Sequence, residues 1–134
     1  MANYMSVCRT NYFQVKDEKA FEAWAATVPD ISVEKEESDG TSRMALFAND
    51  GWPQDRESDM GNLKPFDIVA ELRAHLEYGE VAVMLEVGGE NHRYLLGAAV
   101  VISQHRVEAL NLEGEAMRVA KEMAAGRPVT LPRY

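Results

Sequence analysis

With 134 residues, 46% of them hydrophobic and 27% charged, the chain has the size and make-up of one globular domain with a real core. A net charge of -8 argues against direct binding of nucleic acid or anionic membranes, both of which depend on lysine and arginine at the contact. The single cysteine, Cys8, excludes an intramolecular disulfide and suits a reducing compartment.

In chain order, Arg9 to Val15 reads as a strand. Asp17 then caps a helix whose apolar stripe is Ala20, Phe21, Trp24, Ala25 and Val28, closed by Pro29. Ile31 to Glu36 and Arg43 to Ala48 read as a hairpin around Asp39-Gly40, a strong turn signal. Residues 49–65 follow as a long acidic loop. A second helix is expected from Pro65 or Phe66 to Tyr78, with Gly79 in its C-terminal left-handed position and Phe66, Val69, Leu72 and Leu76 inward.

Val81 to Val87 and Arg93 to Ser103 show the clearest strand patterns. Turning at Gly88-Gly89-Glu90-Asn91 sets Glu86 directly across from Arg93, a favourable cross-strand pair. Arg93 to Ser103 is apolar on both faces over most of its length, which predicts a central, doubly covered strand, with Gly97 admitting a close neighbour. Val107 to Leu112 is a further strand. Glu113 to Ala125 is a third helix with Ala116, Met117, Ala120, Met123 and Ala124 inward. Residues 1–126 thus form one α+β domain of order β-α-β-β-α-β-β-β-α: a mainly antiparallel sheet of five to six strands, three helices and a ferredoxin-like inner part. Residues 127–134 form an extended tail.

The absence of a basic segment followed by an apolar run at the N-terminus predicts no signal peptide, and the longest apolar run, Leu95 to Ile102, is far short of the roughly 20 residues of a membrane helix. The expected location is the cytoplasm.

No catalytic motif is present. There is no Gly-x-Ser-x-Gly, no Ser-x-x-Lys and no glycine-rich phosphate cradle. His75, His92 and His105 read as surface residues without metal-ligand spacing. Asp55, Glu57 and Asp59 alternate as in a calcium loop, but the required glycine and terminal glutamate are missing. No cofactor, metal or enzymatic activity is therefore expected.

The charge is uneven. Residues 30–59 carry nine acids against Lys35, Arg43 and Arg56, and residues 67–90 carry six against Arg73. Such a field steers a protein toward a basic partner surface. Trp52, between Asp-Gly and proline, is either an exposed interface anchor or a lid folded back on the domain. The candidate partner-binding residues are Asp50, Trp52, Asp55, Glu57, Asp59, Glu34 and Glu36. The alternative is a small-ligand or regulatory domain with a pocket under the 49–65 loop. A homodimer is a further option if Val107 to Leu112 forms a sheet edge.

The segments Asn11 to Trp24, Asp50-Gly51-Trp52-Pro53, Gly79 to Val83 and Arg93-Tyr94-Leu95 resemble a group of small acidic bacterial proteins carried on plasmids, phages and integrative elements. The resemblance spans roughly residues 3–112 and brings no catalytic motif. It implies a setting in which such proteins antagonise host defence, such as CRISPR or restriction complexes, by occupying a basic, nucleic-acid-binding surface.

Overall fold

A computed structural model describes residues 4–58, 60–92 and 94–132. Its elements are β1 (Met5–Thr10), α1 (Glu18–Ala25), β2 (Ile31–Ser38), β3 (Thr41–Asn49), β4 (Asp55–Glu57), β5 (Leu63–Pro65), α2 (Ile68–His75), β6 (Ala82–Glu90), β7 (Tyr94–Ile102), β8 (Val107–Asn111) and α3 (Leu112–Ala124). Six strands form one antiparallel sheet in the order β2-β3-β1-β6-β7-β8, and β4 pairs with β5 in a separate two-stranded ribbon. The run from β1 to β6, with the ribbon inserted before α2, has the ferredoxin-like element order.

The predicted cap and the predicted turn of the first half form for the expected reasons. Asp17 accepts a hydrogen bond from the Ala20 amide at 3.1 Å, and Asp39 and Gly40 adopt left-handed backbone so that Ser38 pairs with Thr41. Helices α1 and α2 cover one face of the sheet, called here the front. Phe21, Leu72, Leu76 and Ile68 pack there against Phe13, Met44, Leu46, Met84 and Ile102. Phe13 and Phe21 meet edge to face at 5.9 Å.

Several boundaries differ from the sequence reading. β1 ends at Thr10 because side chains take over from the ladder. Thr10 Oγ1 accepts from the Leu46 amide at 2.9 Å, and Asn11 Oδ1 accepts from the Val83 amide at 2.8 Å. Phe13 and Val15 then hold only isolated bridges, to Met44 and Leu76. α2 starts after Asp67, whose carboxylate caps Ala70, and ends at His75, so Pro65 lies in β5 and Gly79 in a turn beyond the helix.

The β6–β7 register is also corrected. Glu90 pairs with Tyr94 and Glu86 lies opposite Ala98, so the Glu86–Arg93 pair does not form; Arg93 itself is outside the described residues. Gly88 and Gly89 remain in the strand. A Cβ on Gly88 would stand 2.2 Å from the Met5 carbonyl oxygen, so this glycine serves close approach to β1 and not a turn.

β7 is second from the sheet edge. It meets α2 on the front and the start of α3 on the other side, the back, where Leu112 lies over Gly97 as that glycine predicted. Past Gly97 the cover stops and Leu95 is exposed, so the strand is doubly covered over only part of its length. α3 buries no residue: Met117, Ala120 and Ala124 are half-buried, whereas Ala116 and Met123, expected inward, are exposed.

Candidate functional site

Segment 49–65 is not a structureless loop. Asp50 and Gly51 are both left-handed, with φ of 60° and 99°, and the Asp50 amide donates to the Ser6 carbonyl at 2.9 Å. This turn carries the chain off the end of β3 and over the front of the sheet. Trp52 then packs against the core beside Phe66 and Val69. The Phe66 amide donates to the Gln54 carbonyl at 2.9 Å, and β4 and β5 pair between them.

Arg56 fastens this ribbon to the helices. Its guanidinium pairs with Glu71 Oε2 on α2, donates to Thr27 Oγ1 at 3.0 Å and stands 4.4 Å from the centre of the Phe66 ring. Glu71 Oε1 accepts in turn from Trp24 Nε1 at 2.8 Å. One acid on α2 thereby binds α1 and the ribbon together.

Between segment 50–55, the start of α2 and the ends of β6 and β7 lies a cleft of about 860 Å³. Its apolar wall is Trp52, Phe66, Val69, Met84 and Val100, and its carboxylates are Asp50, Asp55, Asp67 and Glu86. No lysine or arginine lines it among the described residues. Glu86 Oε2 accepts from the Tyr4 hydroxyl at 3.1 Å and lies near Gly51. Trp52 Nε1 is buried and has no hydrogen-bond partner among the described residues.

Cys8 registers the local field. Burial, and then the Glu86 carboxylate, push its thiol above the usual range, against hydrogen bonds from the Gly51 backbone and Ser6, with Asp50 adding a last, smallest push upward. Among the described residues, no group of three or more histidine, cysteine, aspartate or glutamate side chains is arranged to hold a metal ion.

The predicted site residues divide into two sets. Asp50, Trp52 and Asp55 come together at the cleft, and Glu57 lies one pleat further along β4, lining a neighbouring depression with Arg56 and Lys64. Asp59 lies outside the described residues. Glu34 and Glu36 do not join them. Register places them on the back of the outermost strand, β2, where Tyr12 donates to Glu34 at 3.0 Å and Glu36 stands opposite Arg43. Trp52 is half-buried against the core, so its indole secures the segment while also forming cleft wall.

Glu86 and Asp67 were missed. Glu86 had a signal: it is the one acid in the alternating run from Val81 to Val87, on the same face as Ala82 and Met84. Asp67 was hidden by the expectation that α2 began before it. His75, read as a surface residue, is half-buried with its ring 5.2 Å from Trp24 and 5.8 Å from Phe21. Burial, and then the nearby charge of Lys16, lower its pKa, with Glu71 opposing.

No protein family, curated protein or solved structure matches this chain. No described helix is long and apolar enough to cross a membrane.

Proposed function

We propose that this is a non-enzymatic binding protein that receives a basic group of a partner protein in the cleft between Trp52 and Glu86. The observation that carries this reading is the lining itself: Asp50, Asp55, Asp67 and Glu86 share the cleft with an apolar wall, and no lysine or arginine lines it among the described residues. A lysine or arginine side chain fits that combination, its stem on Trp52 and Phe66 and its head among the carboxylates.

The partner we propose, on the sequence resemblance to mobile-element proteins, is a cytoplasmic defence complex with a basic, nucleic-acid-binding surface. Occupying that surface needs no catalysis. The acidic site is smaller than the sequence suggested, since Glu34 and Glu36 stand apart from it.

Calorimetric titration with an arginine-containing peptide, together with inhibition assays on nucleic-acid-guided nucleases and restriction enzymes, tests the reading. Binding is expected to weaken with salt and to fall about tenfold or more on combining Asp50→Asn with Glu86→Gln. Salt-insensitive binding, or binding unchanged in that variant, rejects it.

The alternative, a small-molecule pocket under segment 49–65, is favoured by one feature: about 860 Å³ lies within the size range of ligand clefts, roughly 300–1,000 Å³. A compact cationic ligand that raises the melting temperature and quenches Trp52 fluorescence with no protein partner present would select it.

A further inference from the structure

The back of the sheet lacks a layer. Residues directly opposite one another in the ladders share a face, and this places Met5 and Val7 of β1, Leu85 and Val87 of β6, Leu95 of β7 and Leu110 of β8 together on the back. All six are exposed, Met5 at 68%, Val7 at 64% and Leu95 at 62%. Two shallow clefts indent this face and share Leu85 and Val87. One, of about 310 Å³, lies under the start of α3, and the other, of about 500 Å³, lies beside Phe47. Charge is sparse there. Arg9, Asp30 and Glu115 are the charged residues among the described lining of the two clefts, and Glu34, Glu36 and Glu108 lie further out on the same face.

α3 lacks a partner in the complementary sense. Leu112, Ala116, Val119 and Met123 recur at spacings of four, three and four, which makes one apolar stripe along the helix. The whole stripe is exposed, Met123 at 81%. It is distinct from the half-buried stripe of Met117, Ala120 and Ala124. The two unpartnered surfaces are continuous, because Leu112 belongs to the stripe and rests on Gly97 of the sheet.

We infer that the back face is a homodimer interface, in which α3 of each copy lies with its Leu112–Met123 stripe on the open sheet of the other. The occupant is a second copy because the chain supplies both halves of the contact in equal number: a sheet without a helix and a helix without a sheet. A two-fold pairing satisfies both at once.

The area agrees. The five strands from β3 to β8, at a spacing of ~4.8 Å and about 17 Å of length, present roughly 400 Å² of planar footprint. α3, at ~1.5 Å per residue and ~10 Å across, covers roughly 200 Å² of the partner's sheet and offers the same area of its own, so each copy contributes roughly 400 Å² of planar footprint, which side-chain relief raises toward the ~800 Å² that each partner of a stable interface buries.

Light scattering coupled to size exclusion reads the prediction directly. The expected mass is twice the 15.0 kDa of the chain. Val7→Glu and Met123→Glu, tested separately, are expected to halve it to 15.0 kDa with the circular dichroism spectrum unchanged, since both side chains are exposed in the single chain. A wild-type mass of 15.0 kDa at high micromolar concentration overturns the inference. So does a dimer insensitive to both variants, or one abolished by Ala109→Pro alone, which reports pairing through the β8 edge. The Asp50→Asn, Glu86→Gln variant keeps its doubled mass, so failure of the cleft reading and failure of the dimer are separable.

Discussion

The front and back of the sheet come from the same strands, read at alternate residues, and they have opposite fates. On the front, Cys8, Thr10, Met44, Leu46, Ala82, Met84 and Ile102 are buried under α1, α2 and the 49–65 segment. On the back, Val7, Leu85, Val87 and Leu95 are nearly as apolar and stand in solvent. Hydrophobicity therefore does not decide which face becomes the core. The faces differ in what crosses them: α1 after β1 and α2 after β5 both return over the front, and among the described residues no helix crosses the back apart from the first turn of α3. Alternation in a strand announces two faces but does not say which one the chain will cover.

The largest test of that asymmetry is truncation. Leu72→Ala or Phe21→Ala removes fully buried volume and should cost about 3–5 kcal/mol in urea unfolding. Val87→Ala, at an exposed position on the back, should cost under about 1 kcal/mol when unfolding is followed at concentrations where the chain is monomeric. Equal costs would erase the distinction between the faces.

A smaller effect sharpens the account of the front. Arg56→Ala removes a partly exposed ion pair with Glu71 and the stack on Phe66, so a loss of about 1 kcal/mol is expected. Because Arg56 ties the ribbon down, Trp52 emission should shift to the red as its segment loosens. An unshifted spectrum would mean that Trp52 alone holds the segment in place.

The smallest effect is in pH. Folding lowers the pKa of His75 from its ordinary 6.5, chiefly by burial against aromatic rings. The unfolded chain therefore takes up the proton first, and the His75 contribution to stability is present above pH 6.5 and is lost as pH falls through that value toward the lower folded one. Replacing His75 with glutamine should flatten the stability profile over that interval, and a profile unchanged by the substitution would refute the assignment.

Local signals carried much of this architecture. The Asp17 cap, the Asp39-Gly40 turn, the alternation of β6 and the apolar run of β7 each follow from a few neighbouring residues, and with the apolar stripes of the three helices they are enough for the α+β class. Pairing between distant strands was not legible. Nothing near Met5 announces that β1 joins β6, and the glycine that permits it, Gly88, has the same appearance as a turn residue. The cleft was half legible for a related reason. Asp50, Trp52 and Asp55 are neighbours in sequence, whereas Glu86 arrives through the β1–β6 register, and the β2–β3 register carries Glu34 and Glu36 to the back of the edge strand.

Those two glutamates have another consequence. A sheet with a bare apolar face and free edges has what it needs to grow strand by strand into a fibre. β2 closes off that route, because Glu34, Lys35, Glu36 and Glu37 follow one another along its outer margin and an incoming strand would have to strip water from all four. At the opposite margin β8 runs directly into α3, which turns the chain away from further pairing. Molecules of this kind can meet face to face while being kept from polymerising side to side.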